Sequence, residues 1–214
     1  MNRWGLAVIS LTLAAGAPLM AQEAWGGRPN FGLGLLVGVP TAALNSTSYG
    51  DGSTETYNTG VGAQFTLSCP VAPAAAVRLN VSGITFSGTG SAPQTYNWNV
   101  QDQLFSIGGE AELFLADGSA GRHLGTYLFG GLHANFERFS ASNYDPSYYA
   151  ATSVDKTRLA GTLGIGHTFR AYGHHHWSLE AAYHKTLTDT SSNDSALVGF
   201  PASDYVQLYA GYAF

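Results

Sequence analysis

From Phe31 to the last residue, apolar side chains recur at every second position in stretches of about ten residues, the period of strands whose two faces meet different surroundings. In the first stretch Phe31, Leu33, Leu35, Val37 and Val39 share a face opposite Gly32, Gly34 and Gly38. The second sets Val61, Ala63, Phe65 and Leu67 against Gln64, Thr66 and Ser68. In the third, Val77, Leu79 and Val81 oppose Arg78, Asn80 and Ser82, and in the fourth Phe105, Ile107, Ala111, Leu113 and Leu115 oppose Ser106, Glu110 and Glu112. The fifth alternates Leu124, Leu128, Leu132, Ala134 and Phe136 with Tyr127, His133, Asn135 and Glu137, with Phe129 out of step on the polar side. Leu159, Leu163, Ile165 and Phe169 oppose Arg158, Thr162 and Arg170 in the sixth. Trp177, Leu179, Ala181 and Tyr183 oppose Glu180 and His184 in the seventh, and Val206, Leu208, Ala210, Tyr212 and Phe214 oppose Gln207 and Tyr209 in the eighth.

The connections alternate in length. Residues 40–57, 87–103, 138–156 and 188–204 are long and rich in Ser, Thr, Asn, Asp, Gly and Tyr, whereas 69–75, 116–122 and 171–176 are short. An even-stranded barrel with turns on one rim and long loops on the other produces that rhythm, with both termini on the turn side. The pattern therefore predicts an all-β chain, an eight-stranded antiparallel up-and-down transmembrane β-barrel over 31–214. A soluble lipocalin-like barrel would turn its polar face outward, and here that face is mostly Gly, Thr and Ser with few charges.

Composition agrees with a surface not built for water. The 214 residues are 45% hydrophobic and only 11% charged, where a soluble domain carries about 25% charged residues. No stretch after the first two dozen residues approaches the roughly 20 apolar residues of a membrane-spanning helix. Strands in lipid must close, because hydrocarbon offers an open edge no hydrogen-bond partners. The net charge of -5 leaves no basic field for nucleic acid. At the N-terminus, Asn2 and Arg3 precede an apolar run from Trp4 to Leu13, followed by small residues up to Ala21, the layout of a secretory signal cleaved after residue 21. Residues 22–30 then form a short periplasmic lead-in.

These residues resemble the eight-stranded outer-membrane barrels of Gram-negative-type bacteria, the group of the OmpA transmembrane domain, OmpX and OmpW. The likeness covers the chain from about Gly32 to its end and is most specific in Tyr205 to Phe214, an alternating strand closing on Phe. It implies a bacterial outer-membrane location among lipopolysaccharide and phospholipid. It also implies delivery by periplasmic chaperones and recognition of Leu208, Tyr212 and Phe214 by the barrel-assembly machinery. The chain ends at its last strand without the peptidoglycan-binding domain of OmpA, so the barrel-only OmpX and OmpW branches fit its length better.

An eight-stranded barrel is just wide enough for side chains to fill. The inward face would carry Arg78, Glu110, Glu112, His133, Glu137, Arg158, Arg170, Glu180 and His184, and charges in such a space must pair or be hydrated. Strand direction suggests three pairs: Arg78 with Glu112, Glu137 with Arg158, and Arg170 with Glu180 across the third short turn. Some outer-membrane barrels modify lipid A, which needs a Ser, a His base and an orienting carboxylate. Glu180 and His184 share a face but stand roughly 13 Å apart along the strand, and no catalytic set is assigned. In His174-His175-His176 alternate rings point to opposite sides, so the run supplies at most two ligands to one ion, and no metal or other cofactor is assigned. Cys69, the only cysteine, falls in the first short turn. Trp25 and Trp177 on the turn side, and Tyr57, Trp98, Phe139, Tyr149 and Tyr205 on the loop side, are expected at the depth of aromatic girdles. Tyr144 to Tyr149 give one long loop a polar, tyrosine-rich surface suited to a protein or glycan ligand. The expected role is envelope structure, surface interaction or a small-solute pore. The alternatives are an OmpW-like conduit for small apolar molecules and a lipid A-modifying enzyme.

Overall fold

The computed structural model describes residues 28–41, 47–48, 54–91, 97–115, 120, 123–143, 152–172, 175–188 and 203–214. Ten strands follow one another: β1 (Asn30–Pro40), β2 (Thr47–Ser48), β3 (Thr54–Tyr57), β4 (Gly60–Ala72), β5 (Ala75–Ser91), β6 (Asn97–Phe114), β7 (Gly125–Asn143), β8 (Thr152–Arg170), β9 (His176–Thr186) and β10 (Tyr205–Ala213). Eight of them form an antiparallel ring in the order β4-β1-β10-β9-β8-β7-β6-β5, which the pairing of β5 with β4 closes. The first and last strands are joined in register from Gly32 opposite Ala213 to Pro40 opposite Tyr205. Backbone bonds in both directions between Phe31 and Phe214, at 3.1 and 2.9 Å, finish that seam. Among the described residues no backbone edge is left within the belt, as a membrane requires.

Alternation decides which way each residue points. Leu33, Leu35, Val61, Phe65, Phe105, Leu113, Leu132, Leu163, Ile165, Leu179 and Leu208 are exposed on the outside, while Gln64, Arg78, Ser106, Glu110, Asn135 and Glu180 are buried inside. On β8 the apolar outer positions run from Leu159 to Phe169, about 33 Å of strand, or ~25 Å of height at the usual tilt. That is the thickness of a barrel's lipid-facing band. Above it the outward positions become polar: Gln101, Gln103, Arg138, Ser140 and Asp155. Arg138 and Asp155 stand 3.8 Å apart there as an exposed pair, a geometry that contributes little stability.

The strands are longer than their hydrophobic alternation shows. Residues 87–91, 97–103, 138–143 and 152–156 belong to β5, β6, β7 and β8, because Ser, Thr, Gln and Asn suit a strand that faces water on its outer side. Two of the predicted long loops are therefore shorter than expected, and four strands rise past the belt as a polar-faced wall. Cys69 lies in β4 and is buried; the turn itself is Pro73-Ala74. The signal segment 1–21, Trp25, Tyr144, Tyr149 and His174 fall outside the described residues.

Candidate functional site

The inward residues of the ring meet in a single filled lumen with three levels. At the turn-side level Arg78, on β5, opposes Glu110 across the β5–β6 ladder. Its Nε donates to Glu110 Oε2 at 2.5 Å, and its Nη1 lies 2.5 Å from Glu180 Oε1 and 3.2 Å from Glu112 Oε1. Glu180 is on β9, four strands from β5 whichever way the ring is followed, so one guanidinium ties the two sides of the barrel together across its diameter. Phe129, out of step in the sequence, packs its ring 4.3 Å from the Arg78 Cζ. Neutral donors meet what one cation leaves of three carboxylates: Tyr127 Oη to Glu180 Oε1 at 2.6 Å, Asn80 Nδ2 to Glu110 Oε1 at 3.3 Å, and Ser68 Oγ to Glu112 Oε2. A cavity of about 30 Å3 remains here, lined by Ser68, Arg78, Glu112, Tyr127 and Glu180 among others, which is room for about one water and no solute.

The middle level is built on two histidines. His133 Nε2 donates to Glu110 Oε1 at 3.0 Å, and Ser106 Oγ is hydrogen-bonded to His133 Nδ1 at 3.2 Å. Asn135 Nδ2 donates to His184 Nε2 at 2.9 Å, and His184 Nδ1 donates to Thr162 Oγ1 at 3.1 Å. The two imidazoles meet edge to face at 5.7 Å. Glu137 and Arg158 pair just above, at 3.1 Å, with Arg158 5.6 Å from the Phe139 ring.

Ser106, His133 and Glu110 have the connectivity of a nucleophile, base and carboxylate. All three are buried, Ser106 to 1% exposure, and the Glu110 carboxylate is held by Arg78. None of them lines the cavity below. A hydrolytic set needs a substrate carbonyl about 3 Å from the hydroxyl, and side chains fill that space. All three side chains belong to the buried interior.

At the loop-side level the lumen gains an apolar cluster beside its polar groups. Leu36, Tyr57, Ile84, Phe86, Val100, Leu104, Tyr205 and Tyr209 form one buried cluster with Trp98 and Ala141 against it. Tyr205 stacks on His184 at 4.7 Å and meets Phe86 at 5.3 Å. Tyr57, Phe139 and Tyr205, expected as outer girdle aromatics, are thus interior residues, because they carry the inward parity of β3, β7 and β10. Trp98 is half-buried, its Nε1 donating to Glu55 Oε1 at 3.1 Å. Asp102, within the stretch expected as a long loop, is fully buried and accepts from Ser203 Oγ at 2.8 Å.

Of the nine charged or histidine residues expected inside, eight are buried in the lumen and Arg170 is not. It ends β8 at the rim and is exposed, and Glu180, its expected partner, is held by Arg78 and Tyr127. Strand β8 runs out at Arg170, so inward parity there no longer means enclosure. Among the described residues no group of histidine, cysteine and carboxylate side chains is arranged to hold a metal. His175 stacks on Tyr212 at 5.4 Å and His176 is buried. The turn-side rim carries the aromatic band: Trp177 meets Tyr212 at 4.9 Å, and Phe214 stacks with Phe31 at 6.3 Å.

A closed ring of eight strands, apolar outside and packed with polar side chains inside, defines the class: the chain is a transmembrane β-barrel with the fold of the eight-stranded outer-membrane proteins. No known family model matches the sequence, and no curated protein sequence matches it. Among solved structures the chain is similar to the outer membrane protein OprG from Pseudomonas aeruginosa, at 14% identity over 87% of this chain and 94% of that one, with a TM-score of 0.53. It is also similar to Ail, the attachment invasion locus protein of Yersinia pestis, in complex with the heparin analogue sucrose octasulfate. There the identity is 13% over 87% of this chain and 97% of that one, with a TM-score of 0.51. At these identities the likeness is one of fold.

Proposed function

We propose that this protein is a closed barrel of the bacterial outer membrane that acts through its loop-side surface and not through its lumen. One observation carries the reading: the Arg78 guanidinium reaches Glu110 and Glu112 on the neighbouring strand and Glu180 on the opposite one. With the two histidines above it and the aromatic cap above those, a solute has no passage that avoids breaking a buried ion pair. The part left free to meet a partner is the wall where β5, β6, β7 and β8 rise past the belt, with Gln101, Gln103, Arg138 and Asp155 on its outer face, together with the loops it carries. Phospholipid and lipopolysaccharide surround the belt, and the outward Leu208, Tyr212 and Phe214 serve the assembly machinery after chaperones deliver the chain without residues 1–21.

Binding of cells that display the protein to a panel of surface proteins and glycans tests the surface role. A ligand found for the parent is expected to be lost when Gln101, Gln103, Arg138 and Asp155 are replaced together by serine, with the barrel still folded. Solute flux through the folded parent, with no ligand on the panel, would overturn it. The apolar cap is the feature that favours a conduit for small apolar molecules. Uptake of such a molecule by vesicles holding the barrel, abolished by filling the cap with Val100→Phe, would transfer the function to the lumen.

A further inference from the structure

Two shallow apolar grooves on the lipid-facing wall run into one another along β8 and β9. The larger, about 470 Å3, is lined by Leu128, Leu163, Ile165, Ala181, Tyr183 and Val206 among others. The smaller, about 330 Å3, includes Thr126, Ile165, His167, Leu179 and Ala181. Ile165 and Ala181 belong to both and are cross-strand partners, and the missing bulk at Ala181 is what leaves the floor low between larger neighbours. From Leu163 to His167 the groove follows about 13 Å of strand, or ~10 Å of height at the usual tilt, which lies within the ~15 Å of one leaflet's hydrocarbon.

Its turn-side end is polar, which hydrocarbon contact alone does not account for. His167 sits on the outer wall with Nδ1 2.9 Å from Thr126 Oγ1 and its ring 4.3 Å from that of Phe169. Hydrogen bonding to Thr126 fixes the ring and leaves Nε2 for a further partner. Three residues on, at the end of the same strand, stands the exposed cation Arg170, which the lumen does not use.

We infer that this groove is a binding site for one phospholipid of the turn-side leaflet. An acyl chain lies over Ala181 between Leu163 and Leu179, and the phosphate is met by His167 Nε2 and the Arg170 guanidinium. A bilayer offers no hydrophobic gain for leaving one apolar neighbour for another. Residence therefore comes from the van der Waals fit of the groove and from charge complementarity at its end.

Native mass spectrometry of the folded, delipidated barrel reloaded with palmitoyl-oleoyl phosphatidylglycerol tests the site, with folding of every variant checked by heat-dependent gel migration. The parent is expected to retain one lipid. Ala181→Phe, which fills the groove, and Arg170→Gln, which leaves the wall untouched, are each expected to weaken retention about tenfold, equivalent to ~1.4 kcal/mol. Ala63→Phe, on the outer face of β4 at the opposite side of the ring, is expected to behave as the parent. Retention unchanged by Ala181→Phe, or lost equally with Ala63→Phe, would overturn the groove. Retention unchanged by Arg170→Gln would overturn the headgroup contact.

Discussion

Replacing Arg78 by methionine keeps an unbranched stem, though a shorter one, and removes the cation that three carboxylates share. In the parent, two contacts at 2.5 Å and one at 3.2 Å reach Glu110, Glu180 and Glu112, and the guanidinium also lies over Phe129. Breaking a buried ion pair by removing one partner costs about 3–5 kcal/mol, because the charge left behind stays desolvated. Here the charge left behind is a cluster, so the loss on urea unfolding in lipid vesicles is expected at the upper end, ~5 kcal/mol. Arg78→Lys restores the charge without the fork and is expected to recover part of it. Glu180→Gln separates the tie across the lumen from the contacts on β6. Together with Arg78→Met it should cost less than the two single losses added, with a coupling of about 1–3 kcal/mol. A loss below ~1 kcal/mol for Arg78→Met, or single losses that add, would refute the claim that this side chain holds the two sides of the ring together.

Two glycines give opposite expectations. A Cβ on Gly164 would stand 2.5 Å from Phe129 and 2.7 Å from the Ala181 carbonyl oxygen, whereas one on Gly109 meets nothing within 4 Å. Gly164→Ala is therefore expected to destabilise the barrel by ~1–3 kcal/mol by pushing Phe129 off Arg78, and Gly109→Ala to be neutral or stabilising by up to ~1 kcal/mol, both read by unfolding midpoint. Outside the membrane, His123 is buried in the turn before β7, has a φ of 48°, and donates from Nε2 to the Arg28 carbonyl at 2.9 Å. Burial holds its imidazole below the usual histidine range against the pull of that bond, with the charge of nearby His176 adding to the effect. Below about pH 6.5 the unfolded chain takes up a proton that the folded one refuses, so this part of the stability is present at neutral pH and falls on acidification. His123→Asn, which also accepts a left-handed backbone, should show a shallower decline between pH 7.5 and 5. Parallel declines would show that His123 titrates normally.

The barrel was legible because its outer face obeys one rule, and a period of two with alternating connection lengths leaves few architectures open. The interior was legible only in part. Parity placed Arg78, Glu110, Glu137, Arg158 and His184 inside, and the ladder brings Arg78 opposite Glu110 as a local pattern can. That Arg78 also meets Glu180 depends on closure, which sets residues 102 apart on facing walls and leaves no trace along the chain. Asp102 was missed because polar outward residues such as Gln101 and Gln103 hide a strand once it rises out of lipid. Tyr57, Phe139 and Tyr205 were placed outside because an aromatic at a rim suits a girdle and a cap alike, and only parity carried through the extended strand separates the two. Arg170 shows the reverse error, parity followed one residue past the end of enclosure.

The central claim is that a folded barrel has no open lumen. Single-channel recording in a planar bilayer tests it most directly, using protein whose barrel has been verified by heat-dependent gel migration. The account predicts a silent bilayer at neutral pH for the parent. Discrete unitary currents from the folded parent would contradict it and show that the Arg78 bridge opens in the membrane.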